Sequence, residues 1–386
     1  MIEHRFNTII IGAGFAGATA ARELAERGDQ KVLVLERRNH VGGNAYDCLD
    51  EAGVLIHQYG PHIFHTSKKH VYDYLSRFTK WYDYKHEVVA NIRGEYVPVP
   101  FNLNTLKMVY GEEKAAELRE KLINTYGMES RVPILQLREN PDKEIQQVAD
   151  YVYENIFLHY TLKQWGQKPE EIDPSVSARV PVLISEDNGY FQEPYQGMPL
   201  EGFTPLFEKL LDFPSIKVML DTDATQLLRL EDGKIYFDGE EFTGQVIFTG
   251  PIDEFFSCCY GQLPYRSLNF VFEHHEKSDY QPKAVVNYTV SEDYTRITEF
   301  KKLTGQKKPE HTTIVKEYPI PYTGMNGEIP YYSIVNDDNM ALYAKYTALL
   351  EGYPNFHLLG RLAEYKYYNI DAIVDEALKL ADKLLG

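Results

Sequence analysis

The stretch "NTIIIGAGFAGATAARELAERGDQKVLVLE", Asn7 to Glu36, constrains this chain more than any other. A short β-branched run is followed by a G-x-G-x-x-G turn at Gly12, Gly14 and Gly17. An amphipathic stretch comes next, from Ala18 to Arg27 with Ala21, Leu24 and Ala25 on one face, and then a second apolar run ending in Glu36. That order spells strand, turn, helix, strand. Gly12 allows the tight turn, Gly14 lets the backbone approach a pyrophosphate, and Gly17 lets the helix pack closely, while the helix N-terminus supplies amide donors. Glu36 stands at the tip of the second strand, where a carboxylate accepts hydrogen bonds from an adenosine ribose and disfavours a 2'-phosphate. Glycines also mark ordinary turns, so it is the surrounding strands and helix that give the motif weight.

This pattern serves NAD and FAD alike. The segment after Glu36 discriminates between them: "RRNHVGGNAY" places a second glycine pair, ending in Gly43, and Asn44 directly after the ribose carboxylate. That arrangement resembles the two-dinucleotide, FAD-type proteins, and FAD is the expected cofactor.

A chain of 386 residues suits two or three domains, and a net charge of -17 repels nucleic acid and anionic lipid at long range. Any anionic ligand must therefore be held by local cations. The longest uncharged stretch, Phe6 to Ala21, is sixteen residues, short of the roughly 20 that a spanning helix needs. No membrane span is expected, and without a signal-peptide pattern the default location is cytoplasmic. Cys48, Cys258 and Cys259 form an odd set without C-x-x-C spacing, which reads as free thiols. Tyrosine is abundant, at 30 residues, and its flat face and hydroxyl suit sugars, nucleobases and phosphates.

From about residue 101 to 165 long amphipathic segments dominate, including Glu112 to Tyr126 and Asp142 to Tyr160, and helices are expected. Later alternating segments, Ser267 to Glu273 and Ala284 to Val290, read as antiparallel strands. Two short apolar runs, in "QVIFTGP" and "NFHLLGR", suit buried strands that rejoin the N-terminal sheet. The fold class is then α/β: a Rossmann-like FAD-binding domain with a helical domain and an antiparallel β-sheet domain. The FAD-binding domain is expected to be discontinuous, over 1–85, 205–258 and 336–386. A mainly helical substrate-binding domain covers 99–204 with a mobile loop near 165–175, and the antiparallel sheet takes 86–98 and 259–335.

Further segments carry a more specific signal: "GPHIFHT" (Gly60 to Thr66), "VPFNLNT" (Val99 to Thr105), "YTLKQWG" (Tyr160 to Gly166), "YQGMP" (Tyr195 to Pro199), "TRITEFK" (Thr295 to Lys301) and "GRLAEYKYYNID" (Gly360 to Asp371). With the glycine turn they resemble the bacterial type of UDP-galactopyranose mutase, in order, from residue 6 to about residue 385. The resemblance implies a redox-neutral isomerase that interconverts the pyranose and furanose forms of UDP-galactose. It further implies that N5 of reduced FAD acts as nucleophile on sugar C1, that UDP is the leaving group, and that the chain is a homodimer. No pair of carboxylates that could flank C1 as in a glycosidase is recognisable. A flavin oxidase or dehydrogenase, and a UDP-sugar-binding flavoprotein without turnover, remain the alternatives.

The same resemblance implies the site residues. Arg179 and Arg296 would hold the substrate pyrophosphate. Read from the strand pattern alone, a surface ion pair is the readier account of Arg296, and Arg179 carries the same ambiguity. Tyr160 and Trp165 would belong to the uridine pocket, although both could simply pack, with Tyr190 and Asn102 beside the uridine or sugar. Tyr332 and Tyr367 would meet the phosphates. His62 would face the flavin; a metal site with His65 and His70 lacks a ligand set, and none is expected. Gly12, Gly14, Gly17, Glu36, Gly43, Asn44 and Arg361 would hold the cofactor, as would Asn369, which stands where many family members have aspartate. Ile156 takes the place of a common phenylalanine, with Phe157 beside it.

Overall fold

The computed structural model describes residues 6–166, 168, 181–325 and 327–386. The N-terminal motif forms strand β1 (Thr8–Ile11), helix α1 (Phe15–Gly28) and strand β2 (Val32–Leu35). They belong to a five-stranded parallel sheet ordered Ile216–Met219, β2, β1, Gln245–Phe248, Phe356–Leu358. The two late apolar runs do return to this sheet. Its edge strand Ile216–Met219 was not anticipated, because four residues with a lysine among them carry little periodicity.

Alternation puts Ile10, Val34 and Ile247 into the core beneath α1, and Ile9, Leu33 and Val246 into a second core under Leu228 and Phe237. All six sheet residues are fully buried, as befits a parallel sheet covered on both faces. The strand order reverses between β1 and Gln245–Phe248. In such sheets a crevice opens at the carboxyl ends of the strands at that point, and ligands enter there. The C-terminal helix Ile370–Leu385 packs along α1 and brings its own N-terminus to the same edge.

A seven-stranded sheet runs Tyr332–Ser333, Tyr265–His275, Thr312–Pro321, Arg296–Glu299, Val285–Tyr288, Val88–Ile92, Glu95–Val99. It is antiparallel except where Val285–Tyr288 meets Val88–Ile92. The helical block contains Leu103–Tyr110, Glu112–Tyr126 and Lys143–Val152 around Leu118, Leu122, Ile145 and Val148. Lys143–Val152 continues through a π-helical turn, Tyr153–Leu158, into His159–Trp165. Such widened turns shift the side-chain register and recur near functional sites. The block is not wholly helical, since Ser130–Val132 pairs with Val182–Ile184. Among the described residues no helix is long and apolar enough to cross a membrane.

Candidate active site

Two cavities meet at the open edge of the parallel sheet. The first, of about 260 Å³, is lined by Gly12, Gly14, Glu36, Gly43, Asn44 and Arg361 together with the first turn of α1. Gly12 has φ 102°, and a β-carbon there would stand 2.1 Å from Thr249 Oγ1. Gly43 lies over Gly14, whose β-carbon would come 3.6 Å from Gly43 Cα. The two loops thus leave a slot bare of side chains at a helix N-terminus, which suits a pyrophosphate. Glu36 Oε2 accepts from Ala13 N at 2.9 Å, and Oε1 from Arg38 N at 3.0 Å. These bonds hold the carboxylate at the strand tip with lone pairs left for a ribose. Gly17 does not line the cavity. Its β-carbon would lie 1.9 Å from Gly12 O, so its bareness seats the helix on the turn.

The second cavity, of about 410 Å³, shares Asn44, His62, Arg361, Asn369 and Ile370 with the first. Tyr160, Tyr190, Arg296, Tyr332 and Tyr367 line the remainder. Arg296 faces Glu317 across neighbouring strands, with Nε 2.7 Å from Glu317 Oε1. This is no surface pair, because the carboxylate side chain is 0% exposed and the arginine 25%. Beyond that contact neither Glu317 oxygen has a hydrogen-bond partner among the described residues. Burial raises the Glu317 pKa, against the pull of Arg296. For Arg296 burial works against the charge, yet the Glu317 carboxylate outweighs it and holds the guanidinium pKa well above the usual value.

Arg361 donates to Tyr331 O at 3.2 Å and Tyr368 O at 2.6 Å. Its guanidinium lies 5.7 Å and 4.7 Å from the ring centres of Tyr332 and Tyr367, which stack on each other at 5.9 Å with 7° between planes. Burial pushes the phenols of Tyr160 and Tyr332 up to about 12, so both remain hydrogen-bond donors at neutral pH. Burial, aided by His57 and the Arg361 and Arg296 cations, pushes His62 down to about 3. Its Nδ1 is 2.9 Å from Gly60 O. The carbonyl can only accept, so the proton sits on Nδ1 and Nε2 is left as an acceptor. His65 stacks on Phe191 and His70 reaches Asp375, so the three histidines do not converge. Among the described residues no cluster of three or more His, Cys, Asp or Glu side chains could hold a metal ion.

The chain matches a family model described as UDP-galactopyranose mutase over residues 155–367, and one described as an NAD(P)-binding Rossmann-like domain over residues 10–78. It is 36% identical over 98% of its length to a probable UDP-galactopyranose mutase of Klebsiella pneumoniae, covering 95% of that protein. It belongs to the UDP-galactopyranose mutase family. A dTDP-fucopyranose mutase of Escherichia coli is 35% identical over 97% of both chains. The fold matches a crystal structure of reduced UDP-galactopyranose mutase with TM-score 0.71 at 17% identity, over 99% of this chain and 94% of the other. The chain is accordingly a flavin-dependent isomerase of the mutase family.

In this mutase-family member most residues singled out from sequence surround the two cavities. Asn102 does not. It is 1% exposed and caps helix Leu103–Tyr110, its Oδ1 accepting from Asn104 N and Thr105 N and its Nδ2 donating to Asp187 O and Asn188 Oδ1. Arg179 and most of the expected 165–175 loop lie outside the described residues, as does the Trp165 side chain. Ile156 and Phe157 are both buried in the helical core and line neither cavity. Asn369 is the N-cap residue of the C-terminal helix but makes no side-chain capping bond, and it lines both cavities.

Sequence reading missed Glu317 and Asn287. Asn287 is 8% exposed, in register with Arg296, and its Oδ1 has no partner among the described residues. Glu317 could have been found by the signal that drew attention to Arg296, a charge inside an apolar strand, here "TTIVKEYPI".

Proposed function

We propose that this chain interconverts UDP-galactopyranose and UDP-galactofuranose using reduced FAD, the first cavity taking the cofactor and the second the nucleotide sugar. The observation that carries this reading is the common wall of the two cavities. It would set a sugar against the flavin ring while its diphosphate reaches Arg296. Bound and reduced, FAD would supply the nucleophile for sugar C1. The chain's own residues bind and orient. Arg296 would offer its remaining N–H groups to the diphosphate, with Glu317 fixing the guanidinium plane, and charge would be stabilised as the bond to UDP breaks. Tyr332 and Tyr367 would donate phenolic protons to the same oxygens, ordered by the Arg361 beneath them. Neutral His62 would present Nε2 as an acceptor rather than deliver a proton. Asn287 would read the amide edge common to uracil and thymine. In that reading Arg179 is the second diphosphate arginine, and the protein works as a homodimer, which sedimentation would test.

The 35% identity to a dTDP-fucopyranose mutase favours a second substrate as the alternative. Purified protein is incubated anaerobically with UDP-galactofuranose or dTDP-fucofuranose, with and without dithionite, and the products are separated by chromatography. Conversion of the galactose compound to its pyranose only under reduction is expected. Turnover of the fucose compound alone would reassign the substrate, and oxidation of either sugar would move the chain to the oxidases.

A further inference from the structure

The half-buried side chain of Lys163 is bonded to backbone carbonyls. Its ammonium donates to the backbone carbonyls of Tyr288, Glu292 (2.9 Å) and Tyr294 (3.2 Å). Three protons meet three acceptors, the full capacity of an ammonium. All three carbonyls belong to the hairpin that joins Val285–Tyr288 to Arg296–Glu299, the strands that carry Asn287 and Arg296. Lys163 itself stands in the last turn of helix His159–Trp165, one turn after Tyr160. The same hairpin is tied to the preceding π-helical turn by Thr289 Oγ1, which donates to Asn155 O. On the other side Arg266 Nε donates to Gln164 O at 2.9 Å and Nη2 to Lys163 O at 3.2 Å. These are carbonyls at a helix C-terminus, where a cation is favoured. Arg266 lies opposite Tyr332 in its sheet.

We propose that Lys163 is a positioning residue for the nucleotide-sugar cavity: its ammonium clasps the 288–294 hairpin to helix His159–Trp165 and thereby sets Arg296 and Asn287 against Tyr160. This rests on the proposed occupation of the second cavity by the nucleotide. The contact is costly to make, since burial depresses the Lys163 pKa. A surface lysine would stabilise the fold more cheaply, whereas this charge spans two elements that line one cavity. Without it the three carbonyls lose a shared donor, and the hairpin keeps its Thr289 bond to the π-helical turn but loses this tie to helix His159–Trp165.

The test uses the full-length protein with FAD bound. Lys163→Met removes the ammonium and keeps most of the stem. Lys163→Gln keeps two donors and serves if the first variant does not fold. UDP affinity is measured at equilibrium by titration calorimetry, apart from turnover, and flavin content and Tm are recorded for each variant. UDP affinity and kcat/KM are expected to fall roughly tenfold or more, the order of a lost hydrogen bond from a charged group, with flavin content unchanged. Lys163→Cys followed by S-aminoethylation, with wild type treated in parallel, should regain most of that loss. Unchanged UDP affinity and kcat/KM with a lowered Tm would make Lys163 purely structural and overturn the proposal. A loss that aminoethylation does not restore would overturn it too. Should wild type itself bind no UDP, the functional reading fails first and the proposal falls with it.

Discussion

A β-carbon on Gly17 would stand 1.9 Å from Gly12 O, whereas one on Gly14, which lines the first cavity, would meet Gly43 Cα at 3.6 Å and Gly43 N at 3.9 Å, ordinary contacts. The two alanine variants should therefore fail differently. Gly17→Ala is expected to cost at least about 1–3 kcal/mol, because backbone atoms must move to admit the methyl. Gly14→Ala should keep its fold but lose flavin, since the methyl occupies the bare slot. Flavin-to-protein absorbance ratio and Tm distinguish them, and a flavin-replete Gly14→Ala protein would show that the slot is not where the pyrophosphate lies. The Arg296–Glu317 pair makes a second prediction. Arg296→Ala should cut kcat/KM by about two orders of magnitude or more, as for loss of a charge aimed at the transition state, while FAD stays bound. It also leaves Glu317 buried without a counter-charge, raising its folded-state pKa further. A carboxyl with a raised folded pKa stabilises the fold fully below its unfolded pKa, and that contribution is lost as pH rises through the folded value. The variant's Tm deficit should thus be smaller near about pH 5 than near about pH 8.

At the scale of elements, the C-terminal helix matters because its first turn forms part of both cavity walls through Asn369 and Ile370. Its position is held by Asp371, which accepts from Thr66 Oγ1 at 2.9 Å, and by Asp375, which meets Lys68 and His70 at 2.7 Å and Lys379 at 3.0 Å. Burial of Asp375 opposes ionisation, but hydrogen bonds from Lys68, His70 and Lys379 prevail and hold its pKa well below the usual carboxylate range. For a depressed carboxyl the sign reverses: the stabilisation is present above the unfolded pKa and fades as pH falls toward the folded one. Asp375→Asn should cost roughly 1–2 kcal/mol at neutral pH, the partners being partly exposed. The difference in Tm from wild type should shrink below about pH 4. A deficit independent of pH would mean that packing, not charge, locks the helix.

For the whole molecule the decisive feature is that the parallel sheet supplies one cavity, the large mixed sheet and the helical block supply most of the other, and five residues form the boundary. If the first cavity takes the flavin and the second the nucleotide, as proposed, a ligand in the second should perturb the flavin without any redox change. Titrating the oxidised protein with UDP is expected to give a saturable change in the flavin absorption spectrum. A flat spectrum in the presence of measured UDP binding would place the nucleotide away from that wall. Net charge of -17 adds a condition. The far field opposes an anionic ligand, so affinity for one would rest on local cations such as Arg296, whose 25% exposure limits screening.

What sequence alone determined is local chemistry. The 3.6-residue and two-residue periods, the glycine spacing and Glu36 at a strand tip were enough for the nucleotide-binding motif, because each depends on neighbours a few residues away. Arg296 stood out as a charge in a strand, but its partner did not: Glu317 lies 21 residues later, and only strand register makes them adjacent. Asn102 shows the converse, a residue whose side chain looks available in the sequence and is consumed by its own helix cap. Nothing beside Lys163 in the sequence points to the 288–294 hairpin whose carbonyls it meets. Hydrogen-bond partners, burial and the wall between the cavities are products of long-range packing. They were decided by the tertiary structure because no interval along the chain encodes which surfaces meet.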